Sequence, residues 1–445
     1  MTACIRTDSY VGFTSSIHQQ VDQNPMSRLQ IGVMAICFIL NMLDGMDVLL
    51  VSYAAPVLAD DWGIRPEMLG VIFSAGLVGM AIGCLLIAPF ADVIGRKKMI
   101  LIALTDIALG MMLTSLSTEI WHLVACRLIT GLGIGAILAS MAALVSEYSN
   151  DHRRNFNVGL LQGGFPIGAT ITGFLAALYL RVHGWEMAFL VAGIVTASMI
   201  PVVLIWLPES LEFLSKQQPA NALQKMNKVW TGMGYDAIEH MPPKPEDHVN
   251  KVALGDLFSD GRRVSTFYLW AGIFFCFMTL YFAISWITKS AVDAGLPLDK
   301  AIYAGAIYNI GAFVGTASLG LLSVKWGLQR TLFSMMMLAA LLLLAFGWIN
   351  TSVVVILLTT FAIGVSLGGG FNLFYPIATR LYPSHVRATG VGWAVGVGRA
   401  GAVIGPLLAG YLMGAGASVT VTFSVFAVPT LLGGLCVLGV RKLTA

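Results

Sequence analysis

The sequence predicts an all-α membrane protein of twelve transmembrane helices in two six-helix bundles. Three observations lead there. Apolar residues make up 57% of the 445 residues and charged ones only 11%, against about 25% charged in an ordinary soluble domain. The apolar sequence falls into repeated runs long enough to cross a hydrocarbon core, which takes about 20 residues. A single long hydrophilic stretch, 208–263, divides those runs six and six. The runs are continuous and rich in Leu, Ala, Gly and Met, whereas a membrane barrel shows alternating segments of about 10 residues.

In chain order, 1–28 is a polar tail carrying Arg6, Asp8, His18 and Asp22, with no short apolar core and cleavage site of a leader. The first bundle, 29–207, holds spans at 29–57, 68–90, 98–117, 121–146, 156–180 and 186–207, separated by charged or Pro- and Gly-bearing loops. The linker 208–263 has Pro242, Pro243 and Pro245 at its centre. The second bundle, 264–440, holds spans at 264–288, 300–324, 329–349, 352–381, 388–414 and 418–440, and 441–445 closes the chain.

Charge placement orients this layout. Of 26 Lys and Arg, twenty fall on the side that carries both termini, four (Arg65, Arg181, Lys289, Lys300) on the other, and Arg127 and Arg399 lie inside spans. Cytoplasmic loops retain positive charge, so both termini are expected in the cytoplasm. With 23 acidic residues against 26 basic ones, the balance does not suggest nucleic-acid binding. The six cysteines are scattered, mostly within apolar runs, without the spacing of a metal site or disulfide framework. APFADVIGRKK after the second span aligns weakly with GLLSVKWGLQR after the eighth, Gly95 opposite Gly327. A parallel repeat of this kind belongs to a large class of secondary transporters that bind substrate near midplane between the halves.

The informative residues are charges that the membrane makes costly. In FILNMLDGMDVLLVSY, Asp44 is halfway between Arg28 and Asp60, about 24 Å from either end at 1.5 Å per residue, and Asp47 is one turn further along roughly the same face. Two neighbouring carboxylates in a partly dry cavity are suited to taking up protons; the plainer alternative is a polar pair that joins helices by hydrogen bonds. Arg127 cannot carry protons but can pair with a carboxylate and release it. Arg399 is about 18 Å from Arg387 along its span, close to the depth of Asp44, and the second bundle has no acidic residue within any span. It either holds a substrate carboxylate by two parallel hydrogen bonds or neutralises Asp44 or Asp47 across the interface. Lys289, ending the seventh span, either snorkels to the interface or offers a second cation. Tyr281, Trp286, Tyr303, Tyr308 and Tyr375 are stacking candidates that equally suit packing or an interfacial belt. Asp106, in the middle of the third span, has no assigned role. GLGIGAIL and SLGGGFNLF lack the preceding strand and Lys-Ser/Thr pair of a phosphate loop, and read as close-packing or hinge glycines.

Together these motifs resemble the major facilitator superfamily, and within it the bacterial aromatic acid:proton symporter family, over nearly the whole chain. ADVIGRKK resembles the loop signature, although Ala88 stands where a first Gly is usual and Val93 where a basic residue is. RLITGLGIG, GGFPIGATITG, WLPESLEFL and LYPSHVRATGVGWAVGVGRAGAVIGP resemble further family segments, and the Asp-Gly-x-Asp of LDGMD resembles the element that sets aromatic acid symporters apart. The resemblance implies the major facilitator fold, no enzymatic activity, no cofactor beyond a proton gradient, and a bacterial cytoplasmic (inner) membrane location. Its expected partners are a small organic acid anion, protons and the lipid bilayer, with no obligatory protein partner. It assigns proton coupling to Asp44, Asp47, Arg127 and Glu147, substrate carboxylate binding to Arg399 with Lys289 as a second candidate, and gating to Asp92, Gly95, Arg96 and Arg387. For Glu147 and Arg387 an ordinary interfacial salt bridge is the alternative. The implied function is import of benzoate or a hydroxybenzoate by alternating access, the alternative substrate being a non-aromatic dicarboxylate such as muconate.

Overall fold

The computed structural model describes residues 24–241, 254–259, 261–348 and 352–441. Arg6, Asp8, His18 and Asp22 of the tail and the linker prolines Pro242, Pro243 and Pro245 lie outside the described residues. Among the described residues all regular structure is helical. The first four spans are Arg28–Trp62, Pro66–Ile94, Arg96–Ser115 and Ile120–Glu147. The fifth and sixth both lie in the stretch Asp151–Trp206, whose 56 residues would reach about 84 Å as one rod. Gly184 breaks it with a backbone only glycine adopts readily (φ 78°, ψ 171°), so the chain reverses there and crosses twice. Spans seven to twelve are Arg263–Asp293, Leu298–Trp326, Leu328–Trp348, Val353–Leu381, Ser384–Gly414 and Val419–Leu438. The ends fall within about five residues of those read from the apolar runs. Two spans contain a wide helical turn, Gly83–Ile87 in the second and Gly364–Gly369 in the tenth, a local unwinding of the kind often found at functional sites.

The halves repeat one another. Gly63 and Gly295, Gly95 and Gly327, and Gly184 and Gly416 all have positive φ, and 232 residues separate the members of each pair. Packing repeats with the same offset. Span one lies on five as seven lies on eleven, two on four as eight on ten, and three on six as nine on twelve. The bundles meet where span two packs on eleven, five on eight, and one on seven. This is the parallel arrangement expected from the loop alignment, now carried by backbone conformation.

Hydrophobic burial does not drive helices together inside lipid, so close backbone contact does. In the first bundle, a side chain at Gly45 would overlap the Phe165 main chain, and one at Gly168 the Met42 main chain. These glycines let spans one and five touch along the segment that carries Asp44 and Asp47.

Hydrogen bonds between bundles gather toward the face opposite the two chain ends, here termed the far face; the other is the basic face. Ser52 Oγ donates to the carbonyls of Ile284 and Ser285 at 2.9 and 2.8 Å, Ser74 Oγ to Val403 at 2.8 Å and Thr170 Oγ1 to Ala306 at 3.4 Å. At the same end, side chains at Gly70 and Gly410 would press on the facing backbones of spans eleven and two. The halves are therefore sealed to one another on the far side.

Gly168→Val puts an isopropyl group into backbone that has no room even for its Cβ. Overpacking of this sort costs about 1–3 kcal/mol, which predicts a melting temperature several degrees lower for the detergent-solubilised protein by tryptophan fluorescence. An unchanged melting curve would show that spans one and five do not depend on this contact.

Candidate functional site

Asp44 and Asp47 leave the first span at its midpoint and are 4% and 1% exposed. Neither forms a salt bridge or accepts a hydrogen bond within the described structure, and one oxygen of each carboxylate is fully buried without a partner. Asp44 lies within electrostatic reach of Arg399 in the other bundle, and Asp47 within reach of Asp44 and of Arg127. The two groups that residue counting put level are thus ones whose charges act on each other across the bundle interface, without an ion pair between them.

Arg127 sits behind Asp47 inside the first bundle. Its Nη2 donates to Thr114 Oγ1 at 2.9 Å and to Met111 Sδ at 3.1 Å, and its guanidinium lies 5.0 Å from the centre of the Phe189 ring. Contacts from the third and sixth spans hold it as a fixed positive charge, leaving Nε buried and unpartnered. Arg399 is held differently. It donates from Nη1 to Tyr281 Oη at 3.0 Å and lies 5.8 Å from the Phe277 ring centre, again with Nε buried and unpartnered. Around it, Phe277 packs against Tyr281 and Phe371 at ring-centre distances of 5.6 and 4.4 Å, and Phe371 meets Tyr375 edge-on at 6.1 Å. A guanidinium with free donor capacity beside aromatic rings can bind a carboxylate on a flat ring.

Of the sequence-named tyrosines and tryptophan, Tyr281 and Tyr375 border this arginine. Trp286 instead donates to the Pro406 carbonyl at 3.1 Å, and Tyr303 packs on Phe174 near the far face. Phe277 and Phe371 were not singled out, because a phenylalanine in a membrane helix is unremarkable. The signal that could have found Phe277 is its i, i+4 spacing with Tyr281, which puts both on one face.

Glu147 is brought to Arg96, not to Arg127. It forms an ion pair with Arg96 at the basic face and accepts from Ser210 Oγ at 2.7 Å and from the Glu212 amide at 3.4 Å. Arg96 also reaches Glu212 at 3.3 Å and Asp92 at 3.8 Å. Gly95 (φ 103°) has the Glu209 carboxylate where a side chain would be, and that carboxylate accepts from the Lys97 amide at 3.0 Å. The cluster ties the loop after span two to the end of span four and to the short helix Leu211–Gln217. Arg387 lies apart from it, exposed, donating to the Tyr382 carbonyl at 3.3 Å. Lys289 forms an ion pair with Asp293 one turn on. Asp106 approaches Gly133 of the fourth span, with one oxygen buried and unpartnered. Among the described residues no group of His, Cys, Asp or Glu has the arrangement of a metal site.

The family model described as Major Facilitator Superfamily matches residues 37–402 and, again, 320–444. The chain belongs to the major facilitator superfamily. It is a membrane transporter, not an enzyme. Curated members similar to it include the gallate transporter of Pseudomonas putida, 29% identical over 94% of this chain and 93% of that one. Another is the 3-(3-hydroxy-phenyl)propionate transporter of Escherichia coli, 32% identical over 92% and 94%. Among solved structures, a bacterial homolog of the human lysosomal transporter Spinster, described as inward-facing and unoccupied, superposes with a TM-score of 0.69 at 14% identity, covering 94% of this chain and 95% of that one. That likeness carries the fold alone.

In this superfamily member the basic-face cluster has a defined acid response. Burial works against the charge of Glu212, but the hydrogen bond and charge of Lys216 and the charge of Arg96 outweigh it and hold the carboxyl below its ordinary value. A lowered folded value means that the stabilisation is fully present above the unfolded value, about 4.3, and is lost as pH falls through the folded one. Glu212→Gln is therefore expected to lower the melting temperature slightly and equally at about pH 6 and about pH 8, by less than about 1 kcal/mol for so exposed a pair. The difference should close below about pH 4. A difference that widens in acid would contradict this arrangement.

Proposed function

We propose that this chain is a proton-coupled symporter that imports an aromatic monocarboxylate of the benzoate or hydroxybenzoate kind across a bacterial cytoplasmic membrane. The observation that carries the reading is the pair of carboxylates without a salt bridge, Asp44 and Asp47, of which Asp44 faces across the bundle interface an Arg399 whose donors are not used up. The names of the relatives supply the aromatic acid class. The twenty-to-four bias of Lys and Arg orients the basic face to the cytoplasm. In that orientation the far-face contacts are the closed outer gate, and the basic face is the side of release.

The residues then divide the work. Arg399 holds the substrate carboxylate in the plane of its guanidinium, with Tyr281 fixing the group's orientation and Phe277, Phe371 and Tyr375 offering ring faces. A proton entering from outside neutralises Asp44 or Asp47, so that the anion and Arg399 are not competed for by a second negative charge. Arg127 stands behind Asp47 as the positive charge that favours return of the proton once the site opens inward. The Arg96–Glu147–Glu212 cluster, with Asp92 and Gly95, keeps the ends of the first bundle moving as one body, and Arg387 rides on the other. With Lys289 engaged by Asp293, a single cation serves the substrate, which favours one carboxylate over two.

Uptake of labelled benzoate, hydroxybenzoates and muconate into vesicles with an imposed pH gradient tests this directly. Aromatic monocarboxylates should accumulate when the outside is acid and stop doing so with a protonophore; accumulation indifferent to both overturns the symport reading. Asp44→Asn is expected to abolish gradient-driven accumulation. Arg399→Lys keeps the charge but loses the paired donors. Loss of one charge-assisted bond, about 1.5–3 kcal/mol, predicts an apparent KM raised roughly ten- to hundredfold.

A further inference from the structure

The first span carries a third polar group below the two aspartates. Asn41 is 1% exposed and one helical turn before Asp44. Its Nδ2 donates to the Leu161 carbonyl of the fifth span at 2.5 Å, which fixes which end of the amide is oxygen, and that oxygen is buried with no partner. Gly164 allows this: a side chain there would press on the Phe38 carbonyl and on the Asn41 side chain. Asn41, Asp44 and Asp47 thus follow at i, i+3 and i+6, each with a buried oxygen that lacks a donor.

An amide oxygen and an ionised carboxylate are both acceptors only, and a protonated carboxyl has one O–H to give. Buried acceptors left unmade cost about 1–3 kcal/mol each. With both aspartates ionised the three buried oxygens have no donor among them, the Asn41 amide nitrogen being turned to the Leu161 carbonyl; one proton on Asp44 supplies a donor, and the neutral side-chain acceptor one turn away is Asn41 Oδ1. The charged groups facing the column are Arg399 toward Asp44 and Arg127 toward Asp47. On the same span Cys37 is a buried thiol one turn further from Asp44. Tyr281 of span seven accepts a hydrogen bond from Arg399, with Tyr375 and Cys84 also near that arginine and Tyr308 of span eight near Tyr281, and the fifth span meets the column with its Leu161 and Phe165 main chain.

We propose that Asn41 is a positioning residue for the transported proton: its side-chain carbonyl accepts a hydrogen bond from the protonated carboxyl of Asp44 and so sets the pH at which the symporter loads. This rests on the proton-coupled reading above and adds to it a residue that neither touches substrate nor carries charge. Asn41 also explains the direction of the amide, since the fifth span takes the donor end and leaves the acceptor end for the aspartate.

The test is the external-pH profile of labelled hydroxybenzoate uptake in proteoliposomes for the native chain, Asn41→Leu, Asn41→Ser and Asp44→Asn. Homoexchange of the same substrate at equal pH on both sides serves as a measure of intact folding and binding. Asn41→Leu should retain exchange but reach half-maximal uptake at a pH lower by about one unit, a tenfold higher proton concentration, which corresponds to one lost hydrogen bond of ordinary worth. Asn41→Ser, whose hydroxyl can still accept, should recover part of that shift. An exchange-competent Asn41→Leu with an unmoved profile overturns the proposal while Asp44→Asn remains inactive in accumulation. Full accumulation by Asp44→Asn overturns the coupled reading and this proposal together. If Asn41→Leu loses exchange, the Asn41→Ser profile decides: superposition on the native curve assigns Asn41 to packing and overturns the proposal, and an intermediate shift supports it.

Discussion

Asp44, Asp47, Arg127 and Arg399 sit at the depth where lipid tails exclude water, and among the described residues no salt bridge joins any two of them. That is the constraint on which the rest depends. A charge at this depth is costly and is ordinarily discharged against a partner. Here Asp44, Asp47, Arg127 and Arg399 are instead held near one another with hydrogen-bonding capacity in reserve. The scaffold must therefore fix them without satisfying them. It does so with neutral contacts: Thr114, Met111 and Phe189 for Arg127, Tyr281 and Phe277 for Arg399, and glycine-mediated contact between spans one and five for the aspartates. Charges that neutralised each other fully would leave no work for a proton or an anion.

The repeat makes the asymmetry plain. With 232 residues between equivalent positions, Asp44 corresponds to Cys276 and Arg399 to Ile167. One architecture was kept twice, with its glycine turns and its packing pairs, while negative charge stayed in one half and positive charge at midplane in the other. Asp44 and Arg399 thereby face one another across the interface of the two bundles, while Arg127 stays beside Asp47 within the first. In the proposed cycle a rocking motion of the halves changes that proximity directly, with no long-range relay needed.

Much of this was legible in the sequence. Hydrophobic runs of crossing length and the hydrophilic 208–263 stretch specify the twelve spans, because lipid leaves a helix few alternatives. Depth followed from residue counting, since a helix advances uniformly, and it put Asp44 level with Arg399. What was not legible depends on which helix faces which. An interfacial salt bridge for Glu147, at the end of the fourth span, is one of two readings of the sequence, but its partners Arg96 and Ser210 are brought by a loop and a later segment. The shell of Arg127 comes from the third and sixth spans, and Phe371 reaches Arg399's neighbours from the tenth. Apolar residues in a membrane helix carry no mark of whether they face lipid or a cavity. The pairing of Lys289 with Asp293 was available from i, i+4 spacing alone, and weakens the case for a second substrate cation.

The central claim is that an anion and a proton are bound together because the protein's own charges are left unspent. It is tested most directly by calorimetry of hydroxybenzoate binding to the purified protein in two buffers of different ionisation enthalpy at about pH 7, where the difference in heat counts protons taken up with the ligand. The account predicts uptake of about one proton per substrate, absent in Asp44→Asn. Binding with the same heat in both buffers, hence no proton taken up, would contradict it.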